Sequence, residues 1–396
     1  MDSGILARIL DDVLDYGGDY RIDRLDVGRH QSDPSYARIN VSHASTEGLD
    51  RLLMRLQTHG ANAVDPGEAT LRPAPRDGVF PDDFYSTTNL ETQVRIDGSW
   101  LRVEHPEMDC GLVVGPPERV RTVPVSDVTA GDQVVCGAAG VRVVLPIRDR
   151  SDEHSFEFMT SAVSSEKPQA LLVRQIADQM RAVKAAGQKI LWVGGPAVVH
   201  TGAAPAMVAL VNAGYVDVLF AGNALATHDI EASLYGTSLG VDLSKGKGVE
   251  HGHEHHIRAI NTIRRCGSIA DAVEQGVLTG GVMHALVKNS NRFVLVGSVR
   301  DDGPLPDVIT DVIVGQRAMR AELDNVGFAL MVATMLHSIA TGNILPASIP
   351  LVSVDINMAA ATKLADRGSS QAIGIVTDVG LFLEQLAREL APGYSS

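Results

Sequence analysis

The sequence predicts an α/β chain with an N-terminal α+β domain, a small β-rich region and a C-terminal parallel sheet carrying helices on both faces. Three observations carry that prediction. From Pro168 onward, strand and helix patterns alternate, the signature of a parallel sheet covered on both sides. The apolar run Ile190–Val193 leads straight into Gly194-Gly195-Pro196, and after a small-residue helix a second run, Val216–Phe220, leads into Ala221-Gly222-Asn223-Ala224. Before Pro168, short alternating strands and two short amphipathic helices dominate.

A chain of 396 residues is too long for one ordinary core, so two or three domains are expected. We place them at residues 1–110, 111–165 and 166–396, the last boundary falling in the polar stretch Ser151–Lys167. The net charge is -14 with the acids scattered, which argues against nucleic acid or an anionic membrane as a partner. Cys110, Cys136 and Cys266 form no CxxC pair, so a reducing, cytoplasmic setting is expected. The N-terminus lacks the basic start of a signal peptide, and no apolar run has membrane-spanning length.

Residues 3–17 read as an amphipathic helix ending at Gly17-Gly18. Arg21–Arg29 and Ser35–Ser42 alternate as strands. Ser45 is the N-cap expected for a helix over Thr46–Thr58, whose Leu49, Leu52, Leu53 and Leu56 share a stripe. Ala61–Leu71 returns as a strand, which makes this domain ferredoxin-like. Val94–Val103 reads as a hairpin around Asp97-Gly98. In the C-terminal part, strands are expected at Ile190–Val193, Val216–Phe220, Phe293–Gly297, Pro350–Ile356 and Ala372–Thr377. Long helices are expected over Ala318–Thr341 and Asp378–Leu390.

The strand exits are the first candidate site. In an open parallel sheet, ligands bind where strands end, and glycines there admit a phosphate to backbone N–H groups. Gly194, Gly195, Gly222, Asn223 and Ala224 fit a nucleotide cofactor of the Rossmann type, although neither motif alone is specific. Asp301 and Asp302 can accept hydrogen bonds from ribose hydroxyls, the preference that selects NAD. Asp355 and Asn357 close a fourth exit. Ordinary strand-to-helix turns are the alternative.

The run His251-Gly252-His253-Glu254-His255-His256 is the second candidate. At about 100° per residue, His253 shares a stripe with Ile257 and Ile260, His256 flanks it, and His255 faces away. HExxH spacing is absent and no cysteine pair is near, so no metal is expected. Inward histidines that bind cofactor, orient substrate or move a proton compete with core or interface histidines. Lys245 and Lys247 lie on a glycine loop, read as a cover or phosphate neighbour.

Glu107, Asp109 and Cys110 form the third group. Carboxylates attract an ammonium group and can serve as a general base. Cys110 can equally be a small hydrophobe that begins a strand. Asn89 and Arg95 suit the carboxylate of an amino acid, or are solvated hairpin surface.

Two long motifs tie these pieces to a known family. Gly78–Asn89 (GVFPDDFYSTTN) and Glu104–Cys110 (EHPEMDC) resemble the LOR/SDH conserved domain of lysine-ketoglutarate reductase/saccharopine dehydrogenases. Gly222-Asn223-Ala224, Thr227-His228-Asp229-Ile230 and Gly252–His256 resemble a deoxyhypusine-synthase-like NAD-binding domain. Together they resemble the archaeal-type ornithine cyclodeaminases over nearly the whole chain. The resemblance implies conversion of L-ornithine to L-proline and ammonia with NAD as a catalytic cofactor: a hydride leaves, the δ-amine closes on the resulting imine, ammonia departs and the hydride returns. It implies that residues 1–110 serve the substrate. Asn223, Ala224, Asp301, Asp302 and the exit near Asp355 would hold NAD, with Asn343 and Leu345 as a wall. It implies Glu107, Asp109, His253 or His256 as base, Cys110 on the substrate side, and Ser244–His251 as a cover. A homodimer or homotetramer is expected by analogy, and no attack on arginine. A lysine- or saccharopine-type dehydrogenase, a deoxyhypusine-synthase-like transferase (with Lys288 as nucleophile) and an NAD-sensing regulator remain the alternatives.

Overall fold

The structure is a computed structural model that describes residues 5–28, 33, 35–117, 119–145, 169–238, 241–242, 247–248, 254–301, 303–357 and 372–395. The chain divides into two compact units: Met1–His154 with Asn343–Ser348, and Ser155–Gly342 with Ile349–Ser396.

In the first unit, strands β1 (Asp19–Asp26) and β2 (Tyr36–Ser42) pair antiparallel and carry helices Ile5–Asp15 and Thr46–Gln57. Ile9 and Val13 from one helix meet Leu52 and Leu56 from the other in a small core. Ser45 caps the second helix, its hydroxyl accepting the Gly48 N–H at 3.1 Å. The third strand expected for a ferredoxin-like unit does not join this pair. Only Thr70–Pro73 (β3) is extended, and it pairs with β8 (Gln133–Cys136) in another sheet. Two local causes are visible. Pro66 lacks an N–H and Gly67 turns with φ 63°, which stops a strand there. Asn62 then imitates a backbone partner of Val143, donating to its carbonyl and accepting its N–H, both at 2.8 Å.

The larger sheet of this unit also contains β4 (Glu91–Ile96), β5 (Ser99–Glu104), β6 (Gly111–Gly115), β7 (Arg119–Val123) and β9 (Val141–Val144). Its order is β3-β8-β6-β7-β5-β4-β9, antiparallel except for β5 beside β7. The β4–β5 hairpin turns at Asp97 and Gly98, both with positive φ, as the Asp-Gly pair requires. Alternate residues Val94, Val103, Leu112, Val120, Val135 and Val141 fill one core.

The second unit is built on β10 (Lys189–Gly194), β11 (Val218–Gly222), β15 (Arg292–Val296), β16 (Val308–Ile309), β17 (Val326–Val332), β18 (Leu351–Asp355) and β19 (Ala372–Val376). All pairs in it are parallel, in the order β16-β15-β11-β10-β17-β18-β19. Short segments β12 (Thr237–Ser238), β13 (Val241–Asp242) and β14 (Lys247–Gly248) form a separate antiparallel sheet. Helices cover the main sheet, and Trp192, Phe220 and Phe328 on its strands and Phe382 on the helix Val379–Leu390 are among the largest fully buried side chains.

One strand corrects the sequence reading. Ala318–Thr341, expected as a single helix, is a helix (Val312–Ala321), the central strand β17 and a second helix (Leu336–Ile344). The run VGFALMV is apolar at every position because it is buried on both faces, so it has no period-two alternation. Asn325, with φ 62°, turns the chain into it. The boundary stretch 151–167 lies outside the described residues. Among the described residues, no helix is long and apolar enough to cross a membrane.

Phe328 is fully buried in β17, so Phe328→Ala should lower unfolding stability by about 3–5 kcal/mol in urea titration.

Candidate functional site

The main sheet winds both ways from β10. Strands β11, β15 and β16 follow on one side, and β17, β18 and β19 on the other. Where a parallel sheet reverses order, the two crossovers leave on opposite faces and open a crevice at the carboxyl edge. That crevice lies between the exits of β10 and β17. Gly195 packs there against the β17 exit: a Cβ on it would lie 1.8 Å from the carbonyl oxygen of Ala333, itself at φ 52°. Only glycine permits this approach.

The exits of β15, β11, β10, β17 and β18 are consecutive neighbours, so the structure brings most of the expected cofactor residues to one edge. Gly194 and Gly195 end β10. Gly222 is the N-cap of the helix Asn223–Tyr235, which has no side-chain cap, so its leading N–H groups are open to an anion. The carbonyl of the Asn223 side chain accepts the Leu305 N–H at 3.0 Å and the Thr227 hydroxyl at 3.2 Å. Ala224 is half-buried beside it. Asp301 closes the β15 exit by accepting the Ser298 N–H at 2.8 Å. Asp355 accepts the Asn357 N–H at 2.8 Å after β18. Asp302, His253 and most of the Ser244–His251 loop lie outside the described residues.

His337, on the helix after β17, is absent from the expected set. A Cβ on Gly222 would lie 3.2 Å from its Cε1. Burial lowers its pKa below the ordinary imidazole range, with the Val296 carbonyl and Asp301 opposing. The missed strand β17 hid it. The signal that finds both is a short apolar run bounded by Asp324-Asn325 and Thr334.

A second group of expected residues meets in the first unit. The Thr87 hydroxyl donates to the Glu107 carbonyl at 2.6 Å and accepts the Cys110 N–H at 3.0 Å. Backbone bonds join Thr87 N to Cys110 O (2.9 Å) and Asp109 N to Thr87 O (3.1 Å). The Asn343 carbonyl accepts the Met108 N–H at 2.8 Å, and the Leu345 carbonyl accepts from the Asn89 side chain at 3.1 Å. Glu107 and Cys110 are buried. His105 (φ 47°) and Asp109 (φ 60°) both take left-handed backbone, a strained geometry on each side of Glu107. Among the described residues, the buried Asn89 Oδ1 has no hydrogen-bond partner. Arg95 lies farther along β4, its Nε 3.2 Å from Glu68 on the hairpin side.

The histidine helix is phased differently from the expectation. It spans His255–Cys266 and buries Ala259, Ile260 and Ile263, whereas Ile257 is exposed. The buried small residue Ala259 sets the packed face, and a stripe counted on Ile alone overlooks it. His255, expected outward, is half-buried, stacked on Tyr235 at 4.9 Å and bonded through Nδ1 to the Thr237 hydroxyl at 2.8 Å. His256 is half-buried, 6.4 Å from the His228 ring. Glu231 is fully buried and accepts from His228 Nδ1 and from the Thr237 hydroxyl, both at 2.9 Å. His200 meets the His228 ring edge at 4.8 Å and lies 2.6 Å from the Ser238 hydroxyl. Among the described residues, no three His, Cys, Asp or Glu side chains are grouped to hold a metal.

Asp229 has a structural task. Its carboxylate accepts the N–H groups of Val282 and Met283, both at 2.8 Å, at the start of helix Gly281–Lys288. Burial pushes its pKa up from 3.8 to about 6, against the pull of those two N–H groups.

Two outcomes follow from this geometry. Gly195→Ala should cost about 1–3 kcal/mol of stability in urea titration, because the β10 and β17 exits must separate. A carboxyl whose folded pKa is raised adds stability that is complete below its unfolded pKa and lost as pH rises through the folded one. Between pH 4 and pH 7, Asp229 should therefore withdraw stability on the order of 3 kcal/mol at most. Asp229→Asn, which cannot ionise, should show a shallower fall over that window in urea midpoints.

Comparison with known proteins places this architecture. The Rossmann-fold part of the C-terminal region of ArgZ-like arginine dihydrolases matches residues 174–386, and its first region matches 91–173. The LOR/SDH bifunctional enzyme conserved region matches residues 1–90. An ornithine cyclodeaminase of Methanothermobacter thermautotrophicus is 54% identical over 98% of this chain and 95% of its own length. A LOR/SDH protein of Methanococcus maripaludis S2 has a similar structure, with TM-score 0.77 and 50% identity over 82% of this chain and 98% of that one. A ternary complex of AgrE with ornithine and NAD+ matches at TM-score 0.55 and 41% identity, over 98% of this chain and 56% of AgrE. The chain belongs to the family formed by the archaeal ornithine cyclodeaminases and the C-terminal regions of ArgZ-like arginine dihydrolases.

Proposed function

We propose that this protein is an NAD-dependent ornithine cyclodeaminase, converting L-ornithine to L-proline and ammonia. The observation that carries the reading is the match to archaeal ornithine cyclodeaminases at about half identity across both units. The AgrE complex supports ornithine and NAD as the ligands. The carboxyl edge of the main sheet suits NAD chemically. It offers an uncapped helix N-terminus for the pyrophosphate, and the Asp301 carboxylate for a ribose hydroxyl. When bound, NAD supplies reversible storage of a hydride, so no net oxidation occurs.

This chain's residues bind, orient and move protons. At the β11 exit, Asn223 holds Leu305 through its side-chain carbonyl and so fixes the loop beside the helix N-terminus. His337, its pKa lowered by burial, donates to the Val296 carbonyl without adding charge to the cofactor edge at neutral pH. In the first unit, Glu107 and Asp109 draw the cationic substrate and one of them takes the proton of its α-ammonium. The Thr87 hydrogen bonds fix the backbone of that loop, and the two left-handed residues aim it. Cys110 lines the substrate side, as a buried, compact wall.

Incubation of the purified protein with L-ornithine and NAD should yield proline and ammonia one for one, with no accumulating NADH. Stoichiometric NADH would instead indicate an amino-acid dehydrogenase. Glu107→Gln should lower kcat about 100-fold or more while the Kd for NAD stays within about twofold. Equal losses of turnover and NAD binding would remove Glu107 from the chemistry.

A further inference from the structure

The proton balance of the proposed reaction sets a requirement. Ornithine enters as a monocation, and proline zwitterion plus ammonium leave with the same charge. Every proton removed from the substrate must therefore return to product nitrogen in the same turnover. Water must be kept from the imine, so bulk solvent is a poor store. A store inside the protein needs a buried charge of the right sign and titratable groups in line with it.

The second unit contains such a set, and nothing in the fold alone demands it. Glu231 is fully buried, and both its oxygens accept hydrogen bonds, one from His228 and one from Thr237. With Glu231 as acceptor, His228 carries a proton on Nδ1, which leaves Nε2 as its exchanging nitrogen. Thr237 spends its one proton on Glu231, so its oxygen accepts from His255 Nδ1–H. His200 meets His228 edge-on. It ends the short helix Ala197–His200 that follows directly on the β10 exit. His228 lies on the helix that starts at the β11 exit. His200 and His228 thus sit on the two helices that follow the glycine exits of the carboxyl edge.

Resting on the cyclodeaminase reading, we propose that His200 and His228 form a proton relay for the ornithine reaction, with Glu231 as its positioning residue. His200 is the entry. An N–H bond of the substrate δ-ammonium breaks and an N–H bond forms on His200, while the α-ammonium proton goes to the carboxylate pair of the first unit. The added positive charge lies beside the His228 ring and is favoured by the Glu231 carboxylate that the ring contacts. The same proton then leaves His200 for the departing amine, which leaves as ammonia, and the proton held by Glu107 or Asp109 completes the ammonium. No oxidation takes place in the relay. Burial and the neighbouring His228 keep the His200 pKa below the ordinary imidazole range, with Glu231 pulling it up, so His200 is a neutral acceptor at neutral pH. Among the described residues, the other charged groups on the helix Val379–Leu390 packed against it have partners of their own, Glu389 pairing with Arg174. Asp378 caps the helix Val379–Leu390, and Glu384 on that helix accepts from Tyr394 and lies 3.9 Å from Arg388. The helix Ala204–Asn212 carries no charge.

The test compares wild type with Glu231→Gln and His200→Gln, using ornithine, NAD and proline formation across pH. Glu231→Gln keeps the size of the side chain and an oxygen to accept from Thr237, but removes the charge. Its kcat should fall about 30-fold or more, with the KM for ornithine and the Kd for NAD within about twofold. The acid limb of its kcat profile should move to lower pH, because the charge that raised the proton affinity of His200 is gone. His200→Gln should lose that limb altogether. A purely structural role for Glu231 would lower melting temperature and NAD binding together with activity and leave the limb in place; that result overturns the relay, as does a Glu231→Gln protein with wild-type kcat and an unmoved limb. Should Glu231→Gln not fold, His200→Gln decides: a surviving acid limb overturns the relay. Failure of wild type to form proline overturns the functional reading and the relay with it, whereas active wild type beside an unaffected Glu231→Gln overturns the relay alone.

Discussion

The second unit depends on the side-by-side pairing of β10 and β17. These strands are far apart in sequence, yet they are the centre of the sheet, and the chain winds outward from them in two directions. That reversal leaves the edge open between two crossovers, and no side-chain design is needed to create the opening. What the side chains must do is keep it narrow and polar. Gly195 allows the β10 exit to lie against the Ala333 carbonyl, and Gly222 leaves room for the His337 ring. Buried apolar strands on both sides hold the two exits rigid, so the backbone donors at the edge are already in place.

The helix Asn223–Tyr235 shows how function is threaded through a core. Asn223, Thr227, His228, Asp229 and Glu231 are all buried on it. A helix that only packed would bury apolar residues there. The polar residues divide into two tasks. Asn223 and Asp229 satisfy backbone N–H groups of neighbouring segments, at Leu305 and at Val282 and Met283. His228 and Glu231 satisfy each other and Thr237. Gly281, at φ 92°, admits the Asp229 carboxylate, since a Cβ there would lie 2.7 Å from its oxygen.

The legible parts of the fold are those where pattern and punctuation agree. The β10 and β11 exits combine an apolar run with glycines, and Ser45 combines a capping side chain with a helical stripe. β17 was hidden because its Ala, Leu and Met favour helix in isolation, and burial on both faces erased its alternation. His337 disappeared with it. The N-terminal strand Ala61–Leu71 failed for a different reason: a single side chain, Asn62, takes the hydrogen bonds that a strand neighbour would have made. The Asn89–Leu345 and Met108–Asn343 bonds join residues more than two hundred positions apart, a pairing that periodicity does not encode. The motifs around Glu107 were legible as chemistry, whereas the left-handed backbone that frames them is visible only in three dimensions.

Glu231 is the residue whose presence stability explains least. Removing a carboxylate from water costs several kcal/mol even after relaxation, so it needs partners, and His228 and Thr237 are two of them. An apolar residue of similar volume in the same place would pack as well and spare the cost. His228 and Thr237 would then lose a partner, but either could be replaced by an apolar residue too. The buried polar set departs from the otherwise apolar design of its core. Such departures concentrate where charge must be held and moved. The buried carboxylate, by accepting from Nδ1, leaves Nε2 as the nitrogen through which His228 can exchange a proton.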